Sequence, residues 1–194
     1  MNEKNDRIKV LKTEVLLDDW AVVTKYTIDY RRLDGRHETQ VRQVYDRGDG
    51  AAILPYDPER GRVLLVRQFR MPAWVTSNSG MLIEACAGLL DKQDPESCIR
   101  KEAEEELGYR IGRPRLVFAA YTSPGSVSER LYCFIAEYAP ADRISHGGGD
   151  EHEGEDIEVL EIDANEAFAM IADGRIIDAK TIMLLQYARL HNLI

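Results

Sequence analysis

The sequence has few of the features that mark secreted and membrane proteins. It contains only three cysteines among 194 residues. Their number is odd and their spacing is not that of a metal-binding motif, which favours unpaired thiols in a reducing compartment. No apolar run approaches the roughly 20 residues that a membrane helix needs. The polar N-terminus, residues 1–6, lacks an apolar signal segment. These absences predict a soluble, cytoplasmic protein.

Basic residues are fewer than acidic residues in this chain. It carries 25 lysines and arginines against 34 aspartates and glutamates, a formal net charge of −9. Because binding to a nucleic-acid backbone needs a basic surface, this balance argues against nucleic acid as the main partner. A small phosphorylated substrate remains compatible if metal ions neutralise the local charge. The length suits one domain with a sizeable core, with two small domains as the alternative.

The patterning divides the chain into an N-terminal ribbon, residues 1–47, and a larger remainder, residues 48–194. Residues 24–30 alternate with period two, an Asp-Gly pair at residues 34–35 is a strong hairpin turn signal, and a second strand runs through residues 40–44. This pattern predicts an antiparallel β-ribbon. The remainder mixes strand patterns with a few helices, which indicates an α/β sandwich with a mixed sheet.

A glycine turn followed by a carboxylate-rich helix is the feature most closely tied to chemistry. The turn spans residues 87–91, an Asp-Pro pair at residues 94–95 supplies a helix N-cap and first residue, and Gly108 is the expected end of the helix. Glu102, Glu105 and Glu106 are three and four residues apart, so all three can share one helical face. A helix with this arrangement concentrates negative charge on one side.

Such crowding is unfavourable unless a cation compensates it. Like charges at this spacing destabilise an isolated helix by a few tenths of a kcal/mol per pair. A solvated acidic surface is the plain interpretation of most charge runs. The glycine turn beside the glutamates favours a cation site instead. Hard cations of the magnesium type take oxygen ligands and usually bring phosphate with them.

These residues resemble the signature of the Nudix hydrolase family, G-x5-E-x7-R-E-U-x-E-E-x-G-U, where U is apolar. The chain departs from it twice, because Gly88 lies one residue closer to Glu102 than the signature allows and Lys101 takes the place of arginine. The matching positions are Gly88, Glu102, Ala103, Glu105, Glu106, Gly108 and Tyr109.

With these two departures, the chain resembles the GDP-mannose pyrophosphatase branch of that family. That branch carries a similarly shortened box that reads AGLLD, CIRKEA and EE-x-GY, which residues 87–91, 98–103 and 105–109 reproduce. The resemblance extends over nearly the whole chain. The further similar segments are residues 44–48, 67–70, 123–125, 155–161 and 178–181.

The resemblance implies a Nudix α/β/α sandwich that hydrolyses a nucleotide sugar, GDP-mannose, to GMP and mannose 1-phosphate with Mg²⁺. It implies that the carbonyl of Ala87 and the carboxylates of Glu102, Glu106 and Glu155 hold the metal. Glu155 would complete the site or orient the attacking water, and Glu105 is the alternative base.

The resemblance also implies substrate contacts and a homodimer. Family members exchange their N-terminal ribbons, so Trp20 and Arg42 would serve the site of the partner subunit. The plain interpretation of Arg42 and Arg70 is that they are surface strand residues, and that of Trp20 is a buried core residue. The implied substrate-binding residues are Trp20, Arg42, Arg70, Ala87, Gly88, Leu89, Glu106, Glu129, Glu155 and Lys180.

Residues 140–155 are glycine-rich, acidic and without periodicity, which predicts a mobile loop. His146 and His152 lie in it, either as further metal ligands or as solvated loop residues. Glu155 is preferred over two other glutamates of the loop because it directly precedes the similar segment at residues 156–157.

Two other functions remain open. The first is an ADP-ribose pyrophosphatase, because Pro124 lies sixteen residues after Gly108, a spacing that is also associated with that group. The second is a non-catalytic module that senses nucleotides. The expected mark of such a module is the loss of metal-binding glutamates, whereas Glu102, Glu105 and Glu106 are all present.

Overall fold

The computed structural model describes residues 5–77 and 79–194, and residues 1–4 of the predicted polar N-terminus lie outside the described part. No helix in the described part is long and apolar enough to cross a membrane. The strands are β1 (Ile8–Asp18), β2 (Val22–Arg31), β3 (His37–Asp46), β4 (Gly50–Asp57), β5 (Arg62–Phe69), β6 (Met81–Glu84), β7 (Cys86–Leu89), β8 (Arg115–Tyr121), β9 (Arg130–Glu137) and β10 (Glu158–Asp163). The helices are α1 (Met71–Ser77), α2 (Pro95–Glu102), α3 (Ala164–Ala172) and α4 (Ala179–Leu190).

The chain forms two compact units. The first runs up to Gly48 and includes Tyr121–Glu129. The second comprises Asp49–Ala120 and Arg130–Ile194. The second unit therefore contains the glycine turn and the carboxylate-rich helix.

The first unit contains the N-terminal antiparallel ribbon that the sequence predicts. Its strands follow the order β1-β2-β3, and β2 pairs with β3 in continuous register from Val22↔Asp46 to Arg31↔His37. The structure adds β1 to the two strands that the pattern indicated. The register of β1 against β2 shifts after Val10 and again after Val15. Each shift moves later side chains to the opposite face, which obscures the alternation in the sequence.

The second unit is built on a mixed sheet with the order β10-β5-β4-β9-β8, in which β6 also pairs with β5 and β7 with β4. The central strand β4 is antiparallel to β5 and β7 but parallel to β9. Every residue of β4 is buried. Burial on both faces explains why this strand is almost uniformly apolar.

Helices cover both faces of this sheet and confirm the predicted α/β/α sandwich. Ala51 and Ile53 of β4 face a core that includes Cys98 and Ile99 of α2. Their neighbours in β4 face a second core built with α3 and α4. Since successive side chains of a strand point to opposite faces, one strand contributes to both cores.

The carboxylate-rich helix begins and ends where the sequence predicts. The Asp94 side chain accepts a hydrogen bond from the backbone N–H of Ser97, and Gly108 ends the helix with φ +77°. The last turn, Ala103–Leu107, is a π-helix, closed by a hydrogen bond from Gly108 N–H to the carbonyl of Ala103. Turns of this kind are frequent at functional sites.

Candidate active site

The glycine turn and the carboxylate-rich helix meet at one end of the sheet. Strand β7 pairs with β4, placing Ala87 opposite Ala52, and the chain then turns into α2. The Glu102 side chain packs directly against the backbone of Gly88. A Cβ at Gly88 would overlap the Glu102 carboxylate, so only glycine leaves room for this approach.

Glu106 is the deepest carboxylate of this group. It is 1% exposed, and its Oε2 accepts a hydrogen bond from the backbone N–H of Ala87 at 3.3 Å. The structure therefore brings together Ala87, Glu102 and Glu106, three of the four residues that the resemblance implies for the metal, beside Gly88.

The two glutamates lie in surroundings that disfavour negative charge. Burial, with repulsion from neighbouring carboxylates, raises the pKa of Glu102 to about 7. Burial, with the charges of Glu102 and Glu155, raises the pKa of Glu106 to about 8, although hydrogen bonds from Cys86 and Ala87 oppose the shift. The site is therefore short of positive charge.

A divalent cation fits this set of donors. Carboxylate and carbonyl oxygens are the ligands that hard cations prefer, and a cation would relieve the repulsion between the glutamates. Across residues 5–77 and 79–194, no three Asp, Glu, His or Cys side chains converge into a ready ligand set. A bound ion would therefore need main-chain or water oxygens in addition to Glu102 and Glu106.

Glu105 is oriented differently from its two neighbours. Its carboxylate pairs with Lys101 at 2.6 Å, one helical turn earlier, and both side chains are partly exposed. The pair shows why lysine is compatible with the arginine position of the signature, since its charge compensates one of the crowded glutamates.

The predicted loop folds back onto the end of the carboxylate helix. The backbone N–H groups of Gly148 and Gly149 donate to the carbonyls of Glu106 (2.9 Å) and Glu105 (3.1 Å). The Glu155 carboxylate accepts a hydrogen bond from the backbone N–H of Asp150 at 2.9 Å. These bonds keep Glu155 close enough for its charge to act on Glu102 and Glu106.

The rest of the loop is irregular. It contains short 3₁₀ turns at Pro140–Asp142 and Glu151–Glu153. His146 and His152 are exposed to solvent. Their positions agree with the interpretation as solvated loop residues.

Arg70 and Lys180 meet at a buried carboxylate that the sequence analysis did not select. Glu84 is 2% exposed and accepts hydrogen bonds from Arg70 Nε (2.9 Å) and Nη2 (3.1 Å) and from Lys180 Nζ (2.5 Å). Burial alone would raise the pKa of Glu84, but these two cations outweigh it and hold the pKa below its ordinary value. A lone acidic residue at the end of the apolar strand β6 was the only sequence signal.

Three further predicted substrate residues, Trp20, Arg42 and Glu129, belong to the first unit. Trp20 is 67% exposed, which excludes a core role. The Arg47 guanidinium lies 5.9 Å from the centroid of the Trp20 ring and pairs with Glu129 at 2.6 Å. Arg47, which was not among the predicted site residues, therefore contacts both Trp20 and Glu129. Arg42 is exposed on β3 and contacts Gln40 instead.

Comparison with known proteins agrees with this geometry. Residues 46–185 match the family model of the NUDIX domain, and residues 7–45 match the model described as the GDP-mannose pyrophosphatase NudK N-terminal domain. The chain therefore belongs to the Nudix family, as the shortened box predicted.

Its relatives narrow the comparison to one branch of the family. A GDP-mannose pyrophosphatase of Pectobacterium atrosepticum is 54% identical over 182 residues, 93% of each chain. One of Yersinia pestis is 51% identical over 186 residues, 95% of this chain and 93% of the relative. One of Yersinia enterocolitica is 50% identical over 189 residues, 97% of this chain and 98% of the relative. The similarity thus covers both the ribbon and the sandwich.

Proposed function

We propose that this protein hydrolyses the pyrophosphate bond of GDP-mannose with water, giving GMP and mannose 1-phosphate. The observation that carries the proposal is the pair of carboxylates, the buried Glu106 and the half-buried Glu102, packed against the glycine turn. The proteins named GDP-mannose pyrophosphatase, about half identical over nearly the whole chain, support this choice of substrate.

The proposed cofactor is Mg²⁺. Glu102 and Glu106 would hold it with the carbonyl of Ala87, and Glu155 would add a carboxylate from the loop. When bound, the ion neutralises pyrophosphate charge and makes a coordinated water more acidic. The remaining work, positioning and proton transfer, belongs to side chains of this protein.

The surroundings of each side chain indicate which of them transfers the proton and which position the substrate. Glu155 accepts the proton of the attacking water in this proposal, because Glu105 is already paired with Lys101. Arg70 and Lys180 bind the phosphate groups, for which a guanidinium fork and an ammonium are both suited. The backbone at Gly88 and Leu89 contacts the substrate in this proposal, beside the Glu102 carboxylate for which Gly88 leaves room.

The proposed dimer would complete the site. In the first unit, β1 exposes apolar side chains to about half of their area, including Leu11 (52%) and Val15 (61%). Exposed apolar patches of this kind mark association surfaces. Two copies that exchange their ribbons would bring Trp20 and Arg42 to the site of the partner subunit, where Trp20 can stack on the base.

The cytoplasm is the proposed compartment. Cys86, Cys98 and Cys133 are all buried free thiols. Thiols of this kind persist in reducing surroundings.

A substrate panel tests the proposed activity. Purified protein is incubated with GDP-mannose and MgCl₂, and the products are separated by anion-exchange chromatography. We expect equimolar GMP and mannose 1-phosphate, and a higher kcat/KM for GDP-mannose than for ADP-ribose. Faster hydrolysis of ADP-ribose would reassign the substrate. Absence of turnover with every nucleotide sugar would identify a non-catalytic module.

A further inference from the structure

The ion-paired carboxylate of Glu84 lies outside the proposed ligand set but holds two of the proposed substrate-binding cations. Arg70 follows β5 and Lys180 lies in the first turn of α4, so the two residues are 110 positions apart in the chain. Both side chains converge on the two oxygens of Glu84. These ion pairs hold the guanidinium of Arg70 and the ammonium of Lys180 in fixed positions although both side chains are long and flexible.

The Arg70 guanidinium retains donors for a ligand. Nε and Nη2 bond Glu84, whereas Nη1 donates no hydrogen bond to any residue in the described part of the chain. The Arg70 side chain is 39% exposed. Since a guanidinium has five N–H donors in one plane, anchoring one edge leaves the other oriented for a phosphate.

The ion pair with Glu84 also keeps Arg70 charged. Burial alone would lower the pKa of Arg70, but the ion pair with Glu84 and the nearby charge of Glu106 raise it. The guanidinium therefore stays positively charged beside the buried carboxylate.

The start of α4 is anchored independently of Glu84. The Thr181 hydroxyl accepts a hydrogen bond from the backbone N–H of Ala85 at 2.6 Å and donates one to Asp178 at 2.5 Å. Thr181 is completely buried. Removal of the charge at Glu84 therefore leaves the backbone position of Lys180 supported.

We propose that Glu84 is a positioning residue that holds Arg70 and Lys180 at the phosphate groups of the substrate. It acts through these two cations and does not touch the substrate. The inference rests on the proposed function, since it assumes that the site binds a nucleotide sugar.

The test compares Glu84→Gln with Asp57→Asn. Asp57 is also buried and paired with an arginine, Arg60, but lies at the opposite end of β4 from the glycine turn. We expect Glu84→Gln to raise KM for GDP-mannose by about tenfold, as expected for a weakened charge-assisted contact. Asp57→Asn should lower Tm and leave KM unchanged. Equal KM values in Glu84→Gln and the wild type would reduce Glu84 to a structural role.

A second comparison establishes whether Glu84 acts through the cations. In an Arg70→Ala/Lys180→Met background, Glu84→Gln should change KM by less than about twofold, because its partners are gone. It should also raise Tm there, because it removes a buried, unpaired carboxylate. A KM effect that persists in this background would show direct contact with substrate and overturn the proposal. If Glu84→Gln does not fold, Glu84→Asp takes its place, with a rise in KM expected from the shortened reach.

The same variants separate this inference from the choice of substrate. Kinetics are measured with GDP-mannose and with ADP-ribose, since both contain a pyrophosphate, and Kd for GDP-mannose is measured by calorimetry. A wild type that hydrolyses only ADP-ribose would reject the proposed substrate. The ratio of KM between Glu84→Gln and the wild type on ADP-ribose would still decide the role of Glu84.

Discussion

At the scale of single residues, the site depends on a glycine whose missing side chain leaves space for a carboxylate. Gly88→Ala should displace the Glu102 carboxylate, which a Cβ would overlap. A side chain end can move without unfolding the protein, so we expect Tm to change little. A displacement of about 1 Å at a catalytic centre can cost about 100-fold in rate, and we expect a loss of that order in kcat/KM. Steady-state kinetics and a thermal melt measure both.

Gly112→Ala is the matched control for this substitution. A Cβ at Gly112 would meet no atom of the described residues within 4 Å. Its activity and Tm should equal those of the wild type. Equal activity of Gly88→Ala and Gly112→Ala would show that the position of Glu102 is unimportant for turnover.

The raised pKa values of Glu102 and Glu106 also predict how stability depends on pH. The pKa values of Glu102 and Glu106, about 7 and about 8, lie above the ordinary value of 4.5. The folded protein therefore keeps protons that the unfolded chain releases, and stability falls as pH rises from about 4.5 until it levels off near pH 8. We expect Tm of the EDTA-treated protein to decrease across this window. Glu106→Gln, which cannot ionise, should show a shallower decrease.

Metal binding should oppose the loss of stability that the metal-free protein shows as pH rises. An ion that binds Glu102 and Glu106 must displace their protons, so its affinity increases with pH up to about 8. The increase in Tm on addition of MgCl₂ should therefore be larger near pH 8 than near pH 6. An increase that is the same at both pH values, or that persists fully in Glu106→Gln, would place the metal elsewhere.

At the scale of elements, the carboxylate helix and the glycine-rich loop stabilise each other. The π-helical turn leaves the carbonyls of Glu105 and Glu106 free for the backbone N–H groups of Gly149 and Gly148. Ends of helices need such partners because their last carbonyls have none within the helix. The loop that carries Glu155 is thereby attached to the helix that carries Glu106.

Gly147→Ala should detach this loop. Gly147 has φ +68°, and a Cβ would overlap the carbonyl oxygen of Glu106. The left-handed backbone costs about 1 kcal/mol with alanine, and two disrupted hydrogen bonds cost about 1 kcal/mol each. We expect lower stability in urea and a reduced kcat, because Glu155 loses its position.

Gly154→Ala distinguishes the effect of backbone strain from the effect of detaching the loop. Gly154 has a similar φ of +74°, but an added Cβ there would meet nothing within 4 Å in the part of the chain that the structure describes. It should cost only the backbone strain and retain most of kcat. Identical kcat values in Gly147→Ala and Gly154→Ala would show that docking of the loop does not matter for turnover.

At the scale of the whole molecule, the apolar side chains of β1 are exposed in a single chain, which the proposed dimer would explain. Leu11→Lys/Val15→Lys should shift the protein toward monomer in size-exclusion chromatography with light scattering, because lysine opposes association of strands. Leu33→Lys, at a site that is 92% exposed and lies between β2 and β3, is the control and should not change the mass. A monomeric wild type would contradict the proposed dimer.

Mixed dimers test whether ribbons serve the partner subunit. Trp20→Ala and Glu106→Gln proteins are each expected to be weakly active. If Trp20 reaches the partner's site, a dimer of the two contains one complete site, so mixing after partial unfolding and refolding should restore activity. If each ribbon serves its own subunit, no complete site forms and activity stays low.

Much of the fold and part of the site follow from local patterns. Asp94 and Gly108 bound the helix because an N-cap and a left-handed glycine depend on a few neighbouring residues. The shortened box, together with its flanking segments, was sufficient to predict the Nudix family and its branch. The strand β1 was less visible, because its bulges interrupt the alternation.

The sequence by itself determined the family, the layered α/β/α architecture and the crowding of carboxylates beside a glycine turn, because these depend on residue types at short spacing. Only the tertiary structure decided how the glutamates differ. Glu106 is buried, Glu105 pairs with Lys101, and Glu84 collects two distant cations. Burial and ion pairing depend on contacts between segments far apart in the chain, and no local pattern contains that information.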